Sequence, residues 1–479
     1  MPDPVVVARA DHSISRKNID PDALRVLYRL HEHRFKAYLV GGSVRDLLLG
    51  RHPKDFDVGT DAHPYQIKKL FRNCWIIGRR FRLAHIKYGA KTIEVATFRK
   101  NMPDAAPDAP GGAPPEDAVV VATSPEPAAT VDAQAAPAGP EAGPIHRDNT
   151  FGTPEEDAFR RDFTVNGLFY DIGTYAVLDY VGGLEDLERR VIRSIGDPRV
   201  RFVEDPVRML RAAVLGARLG FDLDARVIEA IDEHRALIAT ASPSRLLEEY
   251  YKILRSGAAE ACVRALGRLR LLDRITPELA SPPAAVWDAL AALDRYRQPF
   301  AVAPPAFTNT ILIGALLGPL GLLDRPAPAP HADPRGDRVS FGILPVARKD
   351  IERLRHARQI LPRLLDPSLP PRVARGLLHR PAFDDALVWL EIFGDAPDAV
   401  ARWKEARQHR QAAPRHAPHG HHEPDGHAPH GHAGSPHPHA PAGQDGDGQP
   451  PGRRRRRRRR RGRRRGGGGG GGTGGAPPQ

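Results

Sequence analysis

Cysteine is nearly absent. Cys74 and Cys262 are the only two in 479 residues, too few and too far apart for a disulfide framework or a CxxC metal knuckle. Each reads instead as a small buried hydrophobe in a reducing compartment. Long apolar runs are missing as well. The longest, Ile311 to Leu323, falls short of the roughly 20 residues that span a bilayer. The opening MPDPVVVARADHS has no basic stretch leading into an apolar one, as a secretory signal requires. These absences exclude a secreted disulfide scaffold and a helical membrane span, and the chain is expected to be soluble and cytoplasmic. The body of the chain also lacks a charge excess. The net charge is +13, but twelve arginines (Arg453–Arg461 and Arg463–Arg465) form one terminal run, and without them the balance falls to +1. Any nucleic-acid surface in the folded part must then come from local clusters.

What is present is enough chain for two or three domains, with a hydrophobic fraction of 41% that lies a little under the globular average. Its 48 prolines and 45 glycines crowd into two stretches. One, Pro103 to Pro144, is built from Ala, Pro, Gly and Asp with almost no aromatics. The other, beyond about residue 408, is rich in His, Arg and Gly. Neither can assemble a core, and both are expected to be disordered. The expected divisions are a flexible leader at 1–20, a head at 21–180, a helical neck at 181–258, a helical C-terminal region at 259–407 with a Pro-rich break near 326–335, and a disordered tail at 408–479.

The head reads as α/β. A short amphipathic helix follows Asp22, and strands are expected at Ala37–Val40, Asp55–Val58, Trp75–Ile77, His85–Tyr88 and Thr92–Phe98. Between the first two, Ser43 serves as an N-cap, Val44 to Leu49 as a short helix and Gly50 as its stop. The strand that ends in Gly41-Gly42 and turns into this helix aims backbone N–H groups at one spot. Such a spot suits an anion, with Arg45 to reinforce it, although a tight glycine turn between packed elements reads equally well in isolation. Asp55 and Asp57 alternate with Phe56 and Val58, so the two carboxylates share one face of a strand. Held that close they repel unless a cation sits between them, and hard oxygen ligands with open positions suit Mg²⁺. An isolated acidic pair is also an ordinary exposed edge; the phosphate cradle beside it decides for the metal.

The stretch Leu39 to Asp57 resembles the signature of polymerase β-type nucleotidyltransferases, in the class II branch that holds tRNA CCA-adding enzymes and bacterial poly(A) polymerases. Arg160-Arg161-Asp162-Phe163-Thr164-Val165-Asn166 resembles the RRDFT motif of that branch, and Glu204-Asp205-Pro206-Val207-Arg208 with Arg211 resembles its EDxxR motif. The resemblance covers roughly residues 20 to 260 and keeps the family order. It implies an α+β head followed by an elongated all-α neck and C-terminal region. It further implies Asp162 as the third active-site carboxylate, with Glu94 the lesser candidate. Arg160 and Arg161 are implied to neutralise triphosphate charge with their guanidinium forks, Asn166 to face the same way as Asp162, and Asp205 and Arg208 to read the incoming base. Read locally, Asp205 and Pro206 simply start a helix, and Arg208 and Arg211 lie on one face of it.

Gly78-Arg79-Arg80-Phe81-Arg82-Leu83-Ala84-His85 resembles the segment that marks bacterial poly(A) polymerases, and its Arg79, Arg80 and Arg82 make a basic patch suited to RNA. The implied activity is template-independent transfer of AMP from ATP to RNA 3′ ends with two Mg²⁺ ions. A CCA- or A-adding tRNA enzyme is the near alternative, and a non-catalytic RNA-binding homologue the distant one. In the tail, His416, His419, His421, His422, His427, His430 and His432 are too irregularly spaced for a catalytic metal site. The arginine run fits nonspecific contact with RNA phosphates.

Overall fold

A computed structural model of the chain describes residues 3–78, 82–89, 91–100, 151–324 and 341–412. The insertion at 103–144, the break at 326–335, the tail beyond 412, and Arg79, Arg80 and Phe81 lie outside the described residues.

Among the described residues, eight strands form one mixed sheet. They are Val5–Val7 (β1), Ala37–Val40 (β2), Asp57–Thr60 (β3), Cys74–Ile77 (β4), Leu83–Tyr88 (β5), Lys91–Thr97 (β6), Leu168–Asp171 (β7) and Val177–Asp179 (β8), in the spatial order β1-β8-β7-β2-β3-β6-β5-β4. Every pairing is antiparallel except β3 with β6. Two expectations are corrected here. Part of the stretch taken for a loose leader is built into the head: β1 pairs with β8, and Ile14 and Ile19 are buried. The strand carrying the acidic pair begins at Asp57, which leaves Asp55 in the preceding loop.

Side chains alternate across the outer strands as the pleat requires. Val58, Ala84, Ile86, Ile93 and Val95 are buried on one face, under Pro21–Glu32 (α1) and Pro64–Leu70 (α3). Asp20 caps α1, its carboxylate accepting from the Asp22 N–H at 2.8 Å, and the buried stripe Ala23, Val26, Leu27 and Leu30 turns that helix to the sheet. The opposite face carries Trp75, His85, Glu94 and Asp57 and, among the described residues, stays open. Gly42–Leu48 (α2) follows β2, with Gly41 as its N-cap residue at φ 73°. Ser43 is therefore inside the helix, not its cap, and its hydroxyl donates to Val40 O at 2.9 Å.

Pro154–Arg160 (α4) leads into the RRDFT segment under a capping box of Thr153 and Glu156. From Gly183 on, the chain is almost entirely helical: Gly183–Arg189 (α5), Pro198–Glu204 (α6), Val207–Leu219 (α7), Ala225–His234 (α8) and Pro243–Leu254 (α9) form the neck. Further helices continue from Ala259–Arg268 to Pro397–Ala412. One apolar core runs from Ile14 to Leu354, and a second, from Ala357 to Trp403, closes the last helices. The apolar stretch near 311 is the buried helix Asn309–Leu317. Among the described residues no helix is long and apolar enough to cross a membrane. Both cysteines are free and buried, as expected.

Candidate active site

Three segments converge beside the sheet. The β2–α2 turn brings Gly41 and Gly42. The end of α4 brings Arg160, and the irregular stretch after it brings Arg161, Asp162 and Asn166. The first turn of α7 brings Arg208 and Arg211, with Asp205 just before it. Together with Asp57 these ten residues line a cavity of about 330 Å³. Gly41 is required there twice over. Its φ of 73° favours glycine, and a Cβ would stand 2.9 Å from Arg161 Nη1.

The cavity has an acidic side and a basic one. On the acidic side, the register that pairs Val58 with Val95 sets Asp57 beside Glu94. Asp57 still touches solvent, but desolvation in the cavity, with the nearby carboxylates of Glu94 and Asp55 adding to it, pushes its carboxyl up to about 6 against the pull of Arg161. Asp55 is largely exposed and lies 3.5 Å from Lys54. It belongs to this acidic cluster but does not line the cavity. Among the described residues no three acidic, histidine or cysteine side chains converge closely enough to hold an ion unaided. Such a site fits a hard cation that brings substrate oxygens as its remaining ligands.

The basic side is a network. Asp162 Oδ2 lies 2.6 Å from Arg211 Nη2, while Oδ1 accepts from the Phe163 N–H at 2.9 Å and Asn166 Nδ2 at 3.2 Å. Burial works to raise the Asp162 carboxyl, and Arg211 with these hydrogen bonds outweighs it and holds the group below its usual range. Asn166 thus meets Asp162 by direct contact, in a short 3₁₀ turn, not through shared strand or helix geometry. Arg45 does not reach the cavity. It is buried, donating to Asp46 at 2.8 Å and to Asn166 Oδ1 at 2.5 Å, and so positions the wall from behind. Arg161 donates to Asp157 at 3.0 Å and lies over the Phe169 ring, and among the described residues its buried Nε has no hydrogen-bond partner. Arg160 lines the same wall, 3.7 Å from Asp157. Arg82 is exposed, with φ 39°, just before β5.

Two arginines that carry much of this wall were not singled out by sequence. Arg201, on α6, is buried and donates to the carbonyls of Arg160 (2.9 Å) and Arg161 (2.8 Å) and to Glu204 at 2.8 Å. Arg208 meets the same Glu204 carboxylate at 2.8 Å. Arg245, on α9, grips Asp205 with both terminal nitrogens, at 2.9 and 2.6 Å. Asp205 also accepts from the Val207 N–H at 3.2 Å, the helix-starting bond expected of it, although the N-cap position falls on Pro206. Nothing local marks either arginine as part of the wall, since the carbonyls Arg201 holds and the carboxylate Arg245 grips lie about 40 residues away in the chain. A larger hollow of about 1110 Å³ lies behind the RRDFT segment, reached by Thr164. Several of its charges neutralise one another, Asp186 with Arg193 at 2.8 Å and Glu185 with Arg189 at 2.9 Å.

A glycine turn, a strand-borne aspartate and an arginine wall around one cavity define a nucleotidyltransferase head. Residues 37–193 match the family described as "Poly A polymerase head domain", and residues 220–281 match "Probable RNA and SrmB- binding site of polymerase A". Through these segments the chain resembles poly(A) polymerases and CCA-adding enzymes, which share this head. It is 43% identical over 278 residues to poly(A) polymerase I of Salmonella typhimurium, covering 58% of this chain and 54% of that protein. With poly(A) polymerase I of Escherichia coli O6:H1 the identity is 43% over 282 residues, and the covered shares are again 58% and 54%. The CCA-adding enzyme of Bacillus pumilus is 32% identical over 253 residues, covering 53% of this chain and 54% of that one. The chain thus spans about half the length of the curated relatives it matches. Among solved structures, the Bacillus stearothermophilus CCA-adding enzyme in complex with CTP superposes with a TM-score of 0.52 at 25% identity, over 82% of this chain and 83% of that one.

Proposed function

We propose that the chain is a template-independent polynucleotide adenylyltransferase, which adds AMP from ATP to RNA 3′ ends and releases pyrophosphate. The observation that carries this reading is the single cavity in which Asp57, the Gly41–Gly42 turn, Arg160 and Arg161, and the Asp205–Arg208 pair meet. The greater likeness to poly(A) polymerases than to a CCA-adding enzyme supports AMP as the residue added.

Asp57 and Asp55 would hold Mg²⁺, and Glu94 fits the third carboxylate position better than Asp162, whose charge is already met by Arg211. Bound there, two ions would supply activation of the attacking 3′-hydroxyl and neutralisation of the leaving pyrophosphate. The rest is done by the chain itself. Arg160 and Arg161, which line the cavity, hold the triphosphate. Gly41 and Gly42 let the phosphates approach the backbone. Arg208 and Asp205, fixed by Glu204 and Arg245, present donors and acceptors to the base edge. Ser43 and Arg45 shape the wall from behind. RNA bound by the segment around 220–281 and by the basic stretch near Arg82 keeps the 3′ end in place. A role in RNA tailing and turnover in the cytoplasm follows from that substrate.

Incubating the full chain with RNA and each nucleoside triphosphate separately, then sizing the products, tests the reading. Long ladders with ATP alone are expected. One to three additions confined to tRNA would assign the CCA- or A-adding activity instead, and no extension with any nucleotide would leave a non-catalytic RNA-binding homologue.

A further inference from the structure

Asp57 belongs to two rows of side chains. On one side it borders the cavity just described. On the other, strand register places it beside Glu94, Glu94 opposite His85, and His85 opposite Trp75. Residues paired across strands point to the same face, so the four side chains form one line across the open face, from the catalytic carboxylate to the sheet edge. At about 4.8 Å per strand the line runs roughly 14 Å.

The far end of the line is unlike an ordinary strand edge. Trp75 is 50% exposed and Ile77, two residues on and on the same face, 49%. Lys87 stands over the Trp75 ring, its Nζ 5.2 Å from the centroid. A flat aromatic face flanked by a cation is the chemistry that single-stranded nucleic acid selects, a base on the ring and a phosphate on the ammonium. The geometry of transfer points the same way. The attacking hydroxyl and the departing pyrophosphate stand roughly in line about the reacting phosphorus. With the triphosphate in the arginine-walled cavity, the RNA end approaches Asp57 from the Glu94 side.

We infer that the open sheet face from Glu94 to Trp75 is the track for the last nucleotides of the RNA primer, with Trp75 stacking a base and Lys87 meeting its backbone. The inference rests on the adenylyltransferase reading for its direction but not for its binding. Trp75 is a positioning residue here, not a catalytic one.

The test uses the full chain, an oligoadenylate primer and ATP. Trp75→Ala is expected to raise KM for the primer about tenfold, the scale of one lost base stack, with KM for ATP and kcat at saturating primer within twofold of wild type. Trp75→Phe, which keeps a stacking face, restores the primer KM. Lys87→Ala, which leaves the strand intact, raises it about threefold and weakens the dependence of binding on salt. Oligoadenylate alone quenches tryptophan emission in the wild type, and Trp75→Phe loses that quenching. Primer constants within twofold of wild type in both Trp75→Ala and Lys87→Ala, or an unquenched wild type, overturn the inference. So does a dimer that Trp75→Ala converts to monomer with primer constants unmoved, since the face would then join two copies. Quenching through Trp75 without nucleotide addition would sink the adenylyltransferase reading and spare the track.

Discussion

The two sides of the cavity are built from the same charged residue types and end in opposite electrostatic states. On the helical side Asp162, Glu204 and Asp205 each have an arginine within 2.9 Å, and the first is held below its usual range by that contact. On the sheet side Asp57 has Glu94 and Asp55 for neighbours and is pushed up to about 6. Carboxylates already matched to guanidinium groups fix geometry. A carboxylate that is desolvated beside two others is disfavoured as an anion, and a bound cation would relieve it. The difference identifies which side is scaffold and which side waits for a ligand.

The comparison breaks most readily at Asp57. Asp57→Asn and Asp55→Asn are expected to lower AMP incorporation by at least about a thousandfold, the upper scale of one lost preorganised electrostatic contact. The sign for stability is opposite. A carboxyl with a raised folded pKa weakens the fold as pH climbs through it, so metal-free Asp57→Asn should unfold later than wild type above about pH 6, with the difference gone below about pH 4. Urea titrations at both pH values in a chelator check this, and an earlier-unfolding variant at neutral pH would contradict the repulsion.

Next comes the third carboxylate. Glu94→Gln is expected to cost on the order of a hundredfold in kcat with the fold intact, measured in the primer-extension assay. A larger loss from Asp162→Asn than from Glu94→Gln, at equal folded stability, would return that role to Asp162. Arg211→Ala should act on stability instead. It strands the enclosed Asp162 charge, at about 2 kcal/mol, below the roughly 3–5 of a fully buried pair because Arg211 is itself 43% exposed. Chemical denaturation reads this directly.

The smallest effect calibrates the others. Asp20 lies outside the cavity and, like Asp162, is a paired carboxylate. Burial works to raise it, while Lys91 at 2.6 Å and the capped N–H groups of α1 bring it below its usual range. Asp20→Ala should lose about 1 kcal/mol at neutral pH, the scale of one helix cap. A lowered carboxyl contributes stability above its unfolded pKa, so that deficit should shrink as pH falls below about 4. A deficit that stays constant down to pH 2 would remove the charge from the explanation.

Much of the sheet side was legible in the chain. The alternation of Ile93, Val95 and Thr97 against Thr92, Glu94 and Ala96 announces a half-buried strand, and a pleat puts Glu94 with Asp57 once the two strands pair. What alternation does not contain is the pairing order. That β3 lies between β2 and β6 depends on pairings tens of residues apart, and that Val5–Val7 closes one edge depends on a pairing across more than a hundred. The helical side was legible only by resemblance. Asp162 was expected as the third active-site carboxylate because its motif resembled the family's, and the guanidinium that meets it comes from a helix 49 residues on. Arg201 and Arg245 act through carbonyls and a carboxylate distant in sequence, and no local spacing encodes such partners.

Arg201 has one more consequence. Its guanidinium holds two carbonyls of the head from a helix of the neck, so the division expected between residues 180 and 181 is not where the molecule comes apart. A head excised near residue 180, or exchanged at that point with a relative's, would keep Arg160 and Arg161 but lose the strut that sets their backbone. Anyone building chimeras to trade one nucleotide preference for another should carry the chain through α7 and cut beyond Leu219.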